Sequence, residues 1–533
     1  MTAQKDRLFF GPQVTRPEIV FGLVGALGTD LRIVESALAN ALLGVGYRSD
    51  SVRVSDFLRE LDITSDKGDG SASVKTKIDV LMDKGDALRL AVGHGAAAAA
   101  IAISEISSAR GESNRTSSSA EDDSGERESF ATIVRQLKHP EEVRLFRSVY
   151  GPRFILIGAW APTVERDKAV RDRLRVEHPG ETDGWYSDQV TRLLTRDEKD
   201  GQRRLGQRVR DTFELADAYV SLLPGTDPSP KLKRVIELLF GAPFETPHPS
   251  EQAMFHASGA RLRSSDAGRQ VGAVVVDGSG ELLVSGVNEV PKAGGGQYWS
   301  GDKLDHRDFR EGFDVNERQK RELIVELLGK LHKSGDWFSD SKQNLDVASL
   351  ATAALEGGPL SKSRVGDILE FARVAHAEMA AISTAARRGT AIGGMTMYTT
   401  TYPCHECARL IIASGIKKVV YVDPYPKSQV PEMYRHEIME GPTSESERVI
   451  FEPFEGVAPR LFGSVFVMPD RSRDDSTGAY GTWNPAEAPP RLVADAEAAA
   501  PMQTMEDGAI LPITQALREL GVLNGESASD MSN

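Results

Sequence analysis

The sequence predicts two α/β domains, an N-terminal one on a doubly wound parallel sheet and a C-terminal α/β/α one. Three observations carry this. Apolar strand-like runs alternate with helical patterns of period 3.6 through the first half. A proline cluster at Pro243, Pro247 and Pro249 breaks that pattern. Beyond it, two alternating apolar runs flank Asp277-Gly278-Ser279-Gly280, the layout of an antiparallel hairpin.

Taken in order, Glu18 to Val24 reads as a buried strand. A turn with Gly22, Gly25 and Gly28 follows, then a helix carrying Leu31, Val34, Leu38 and Leu42 on one face and ending near Gly44. Ser51 to Ser55, Ala131 to Leu137, Arg153 to Ile157 and Ala218 to Leu223 supply further strands. Residues 104–129 are dominated by Ser, Glu, Asp, Gly and Arg without apolar periodicity and read as a disordered loop. The first domain therefore spans 1–245. The second, 246–468, reads as helix Glu251 to Arg263, strands Val271 to Val276 and Leu282 to Val287, and a charged, partly helical insertion at 294–364. Helix His376 to Arg388, strand Met395 to Thr400, helix Cys404 to Ser414 and strand Lys418 to Val422 complete it. Residues 469–533 read as an acidic, loosely ordered tail with a short helix at Pro512 to Leu520.

Composition narrows the function. The 533 residues carry a formal charge of −14, with 40% apolar and 27% charged residues, so a folded multidomain protein is expected rather than a disordered one. No stretch approaches the roughly 20 apolar residues of a bilayer helix, and Met1 to Val20 lacks the pattern of a secretory leader, so a cytoplasmic protein without membrane contact is expected. The acidic balance argues against a protein that coats nucleic acid.

There are two cysteines, both in Pro403-Cys404-His405-Glu406-Cys407. Such a pair is either a redox dithiol or half of a metal site. His376-Ala377-Glu378 upstream favours the metal. A catalytic zinc takes three N and S ligands and keeps one position open, which His376, Cys404 and Cys407 satisfy, and cysteines at i and i+3 at a helix start point the same way. A carboxylate beside such a site, here Glu378, can move protons between water, a ring nitrogen and a leaving amine. The His-x-Glu and Pro-Cys-x-x-Cys pair is the signature of hydrolytic base deamination.

On these motifs, roughly Glu251 to Phe466 resembles the zinc-dependent cytidine/deoxycytidylate deaminase superfamily. The resemblance implies zinc on His376, Cys404 and Cys407 and a proton shuttle at Glu378. Ser265-Asp266, Gln270 to Val274 and Gly286-Val287-Asn288 look like the nucleotide-binding strands of deoxycytidylate deaminases. Asn288 would then contact the deoxyribose hydroxyl, and Gly272, Ala273 and Ala377 the base. Many of those enzymes have Asn where this chain has Ala380.

The turn Gly22 to Asp30 has the layout of a phosphate-binding loop but not its full pattern, since Thr29 and Asp30 replace the Lys and Ser/Thr that reach phosphate and magnesium. Gly22, Gly25, Gly28 and Thr29 are candidate contacts of a regulatory nucleotide, with a purely architectural turn held equally. A P-loop-NTPase-like domain joined to a cytidine-deaminase-like domain resembles the bacterial anti-phage dCTP/dCMP deaminases. That implies a small-molecule nucleotide substrate, a homo-oligomer and defence by dCTP depletion. The alternatives are a tRNA or single-stranded DNA deaminase, disfavoured by the negative charge, and a nucleotide-sensing regulator whose zinc is structural.

Overall fold

The computed structural model describes residues 16–61, 63, 75–116, 129–198, 200, 205–360, 363, 365, 370–422, 429–441, 447–467, 473, 476–494 and 502–519. These fall into two compact units, one drawn from Met1–Phe255, Val422–Lys427 and Pro453–Asn533, the other from His256–Tyr421 and Ser428–Glu452.

In the first unit, β1 (Ile19–Gly25), α1 (Leu31–Gly44), β2 (Arg48–Arg53), α2 (Val54–Glu60), α3 (Lys77–Val92) and α4 (Ala97–Thr116) lead to β3 (Phe130–Arg135). Then follow α5 (Pro140–Tyr150), β4 (Phe154–Trp160), α6 (Thr163–Glu177), α7 (Asp183–Glu198), α8 (Val209–Phe213), β5 (Ala218–Ser221), α9 (Ser229–Leu239) and α10 (Pro249–Arg261), of which the residues from His256 on are counted with the second unit. The five strands run parallel in the order β5-β4-β1-β3-β2. β1 and β4 are buried along their whole length, as central strands covered on both faces must be, and their continuous apolar runs are why they are visible in sequence. The edge strand β2 is polar and mostly exposed. It begins three residues before the expected Ser51 because no apolar run marks its start.

The second unit holds β6 (Gly272–Val276), β7 (Leu282–Val287), α11 (Asp308–Glu311), α12 (Val315–Ser334), α13 (Asp340–Gln343) and α14 (Val347–Leu355). It continues with α15 (Ala377–Arg388), β8 (Thr396–Thr399), α16 (His405–Ala413), β9 (Lys418–Tyr421), α17 (Val430–Met433), β10 (Ile438–Glu440) and β11 (Val449–Pro453). Its sheet runs β10-β11-β9-β8-β6-β7, with β6 antiparallel to both neighbours and β8 parallel to β9. The expected hairpin is β6-β7. Within the expected insertion, α12 and α14 bury Ile324, Leu328, Leu350 and Ala351 in a small core of their own.

The chain then returns to the first unit through β12 (Gly456–Val457), α18 (Pro459–Phe466), α19 (Arg491–Ala494) and α20 (Met502–Glu519). β12 pairs antiparallel with β5, and Val457, Leu461 and Val465 enter the core formed by β1, β3, β4, α1 and α9. The described residues from Pro453 onward thus belong with the first unit.

Two sequence expectations are corrected here. Residues 104–116, expected to be disordered, continue helix α4, because Ile103 and Ile106 are fully buried and Arg110 is drawn inside by two carboxylates. Residues 117–128 of that segment lie outside the described residues. In the tail, the helix starts at Met502 instead of Pro512 and is packed rather than loose, with Ile513 and Leu517 buried. The two helices meet at a buried charge cluster. Arg110 donates to Glu18 Oε2 at 2.8 Å and, through two nitrogens, to both oxygens of Glu506 at 2.6 and 2.9 Å. The Tyr150 hydroxyl donates to Glu506 Oε1 at 2.8 Å. Among the described residues no single helix is long and apolar enough to cross a membrane.

Candidate metal and proton-transfer site

Two helix starts build the site. α15 is rich in alanine, and Ala377, Ala380, Ala381 and Ala385 are buried, so the helix can lie close on the β6-β7 hairpin. That approach needs Gly286. A Cβ there would stand 2.1 Å from the Ala377 carbonyl oxygen and 2.4 Å from the Ala381 nitrogen. Gly286→Ala is expected to destabilise the unit by about 1–3 kcal/mol, the usual cost of overpacking, and to lower bound zinc. Thermal unfolding and metal analysis of the purified variant check this.

His376 is the N-cap of α15, with Glu378 in its first turn, and Cys404 is the N-cap of α16, one turn before Cys407. The candidate ligand atoms of His376, Cys404 and Cys407 lie within 4.8 Å of one another, and among the described residues the group comprises these three. His405, inside the motif, is exposed. His376 Nδ1 is 3.3 Å from the Sγ of both cysteines. The positive ends of both helix dipoles favour thiolates here.

The three groups shift one another's proton affinities strongly. The Cys404 thiol is pulled down to about 4, chiefly by a hydrogen bond from Cys407 and then by His376. His376 is pushed up to about 9 by its hydrogen bond to Cys404. The Cys407 thiol, hydrogen-bonded to Cys404 and buried, is pushed well up. Once a cation displaces the protons of His376 and Cys407, two thiolates and an imidazole make a soft N and S set with three members, the number and kind that zinc takes in open sites. Glu378 is 3% exposed, and burial raises its carboxyl above the usual range. Cys407 Sγ donates to Glu378 Oε2 at 3.3 Å.

The other expected contacts divide. Ala377 is fully buried at the start of α15. Ala273 lies opposite Thr399 in the β6-β8 register, and the Thr399 hydroxyl donates to Glu378 Oε1 at 3.4 Å. Gly272 is a close-approach glycine, since a Cβ there would stand 2.0 Å from the Ala257 carbonyl oxygen. Asn288 is buried with its amide engaged by the chain: Oδ1 accepts from Val271 N at 2.6 Å and Nδ2 donates to the Arg269 carbonyl at 2.6 Å. Sequence reasoning missed Thr399. Alternation along β8 from the buried Met397 was the available signal.

In the first unit, Gly22 faces the Phe154 ring, Gly25 stands against Leu31 and the Ala159 carbonyl, and Gly28, at φ +90°, lies beneath the Arg166 backbone. Thr29 is buried. The Leu27 amide of this turn donates to Asp197 Oδ2 at 2.6 Å, and Lys138 Nζ is 2.6 Å from Asp197 Oδ1. An internal carboxylate therefore holds the Leu27 amide of this turn.

Comparison with known proteins bears on the second unit. Residues 248–423 match the family model described as the cytidine and deoxycytidylate deaminase zinc-binding region. The deoxycytidylate deaminase of Enterobacteria phage T2 is 54% identical over 54 residues, 10% of this chain and 29% of that protein. The human deoxycytidylate deaminase is 42% identical over 60 residues, 11% and 33% respectively. ComE operon protein 2 of Bacillus subtilis is 44% identical over 54 residues, 10% and 29%. The matches thus span a third or less of these relatives' own lengths. Among solved structures, the dCMP deaminase of cyanophage S-TIM5, in complex with dCMP and dUMP, is 19% identical at a TM-score of 0.22, covering 39% of this chain and 99% of that one. Residues 248–423 of this chain thus match a cytidine and deoxycytidylate deaminase zinc-binding region, and His376, Cys404 and Cys407 within them form the group that could hold the zinc.

Proposed function

We propose that the protein deaminates a deoxycytidine nucleotide, dCMP or dCTP, to the uracil nucleotide and ammonia. The observation that carries this is the buried Glu378 carboxylate beside the three-membered ligand group, 3.3 Å from Cys407 Sγ. Zinc held by His376, Cys404 and Cys407 supplies a Lewis acid that makes water nucleophilic near neutral pH. Glu378 accepts a proton from the water that attacks C4 and delivers it to ring nitrogen N3. It then carries the proton of the new C4 hydroxyl to the amine, so the C4–N bond breaks, ammonia leaves and a carbonyl forms. Burial suits this part, because it raises the proton affinity of the carboxylate toward the working pH. Gly272, Ala273 and Ala377 line the base and Asn288 stands at the sugar. A homo-oligomer in the cytoplasm, and use against phage by drawing down dCTP, extend the same reading.

The test is a screen of the zinc-loaded protein against cytidine and adenosine nucleosides, mono- and triphosphates, ribo and deoxy, with single-stranded oligonucleotides alongside. Ammonia and a uracil product from dCMP or dCTP are expected. Turnover of oligonucleotides with every free nucleotide untouched would overturn the proposal.

A further inference from the structure

We infer that Thr399 is a positioning residue for Glu378, fixing which carboxylate oxygen moves the proton. The inference rests on the deamination proposed above. Register places the threonine: on β8 it pairs with Ala273 of β6 and Tyr421 of β9, so its position in the sheet is held from both sides. Met397, two residues earlier and so on the same face, packs in the core with Ala381 and Ala385 of α15 and with Ala408 and Ile411 of α16. Thr399 therefore faces the two helices whose first turns build the site. It is fully buried, and its hydroxyl reaches Glu378 Oε1 at 3.4 Å. That is longer than a full-strength O–H···O bond, as catalytic contacts often are before substrate binds.

The two oxygens of Glu378 are thereby distinguished. Oε1 meets a hydroxyl, and Oε2 meets Cys407 Sγ. A cysteine that ligates a metal does so as the thiolate and has no proton to donate. The contact to Oε2 is then lost, whereas the one from Thr399 to Oε1 persists. With Oε1 tied to the sheet, Oε2 stays on the side of His376, Cys404 and Cys407, free to take and give protons. Valine would fill the same volume, leave Oε1 without this donor in a buried place, and free the carboxylate to rotate. Serine would keep the donor.

The experiment compares Thr399→Val, Thr399→Ser and Glu378→Gln with the wild type, all as full chains with zinc content measured. Four readouts are taken: kcat, KM, affinity for the uracil nucleotide product, and affinity for a pyrimidine nucleotide analogue with a tetrahedral hydroxyl-bearing C4. Thr399→Val is expected to lower kcat about 10- to 100-fold, as a misplaced catalytic group does, with KM within about twofold. It should weaken the analogue by a similar factor and leave product affinity and zinc content unchanged. Thr399→Ser should recover most of the loss. If valine fails to fold, Thr399→Cys, of similar size and a weaker donor, takes its place with the same expected pattern. Wild-type kcat for Thr399→Val beside an inactive Glu378→Gln overturns the inference and leaves the deaminase reading standing. Equal loss in Ser and Val also overturns it, since packing would then be the cause. An active Glu378→Gln overturns both.

Discussion

Glu378→Gln is expected to lower the deamination rate by about 10³- to 10⁴-fold while zinc stays bound, the upper part of the range for losing a general acid-base group. Glutamine keeps the shape and can still accept from Thr399, but it cannot take a proton from water or hand one to the ring and the amine. The two effects separate cleanly because Glu378 lies outside the three-membered ligand group. Stability should not fall. A buried carboxylate is costly to hold in its charged form, and an amide removes that cost. Ammonia release, metal analysis and a melting curve on one preparation check all three statements, and turnover at the wild-type rate would remove Glu378 from the mechanism.

The largest loss of stability is expected at Arg110. Its guanidinium satisfies two carboxylates, Glu18 and Glu506, each fully buried, and holds Glu506 through both oxygens. Arg110→Ala leaves Glu506 inside without the guanidinium on both its oxygens and takes one partner from Glu18, and breaking a buried pair in this way costs about 3–5 kcal/mol. The tyrosine hydroxyl on Glu506 cannot replace a cation. Because Glu506 lies on α20 and Arg110 on α4, loss of the contact should expose the C-terminal helix first. Denaturant unfolding of the full chain, followed by limited proteolysis mapped around residues 502–519, measures this. Arg110→Met combined with Glu506→Met should regain part of the loss, since the Glu506 carboxylate is then removed together with its guanidinium. A variant as stable and as protease-resistant as the wild type would show the cluster to be energetically idle.

These two sites mark what sequence can carry. The zinc group was legible because its chemistry is local: a cysteine pair at i and i+3, and a histidine two residues from a carboxylate, each at a helix start. β1 and β4 were legible because burial on both faces leaves an unbroken apolar run. Arg110 was misread because its value lies in partners 92 and 396 residues away, so its polar neighbourhood looked like a solvated loop. Helix α20 was cut short because Pro512 reads as a helix start, yet the segment continues through it, with Met502 and Ile510 buried before it and Ile513 and Leu517 after it. Alternation from Met397 could have placed Thr399 on a buried face, but its partner Glu378 is seen only in the folded chain. Asn288 is buried with its amide holding the chain, which no residue pattern reveals.

The two-residue strand β12 has a consequence for how the protein is made. The edge of β5 is closed by Gly456 and Val457, and Ser221 N donates to Glu455 across 234 residues of sequence. On a ribosome adding about 5–20 residues per second, β5 emerges roughly 10–50 s before the segment that covers it. Through that interval the nascent chain presents an open strand edge while the whole zinc-binding region is still being synthesised. An unpaired edge is a template for another strand, so newly made chains on one message are exposed to pairing with each other. A holding chaperone, or slow synthesis at low temperature, should therefore raise the soluble yield of this protein more than that of a chain whose sheet closes in order.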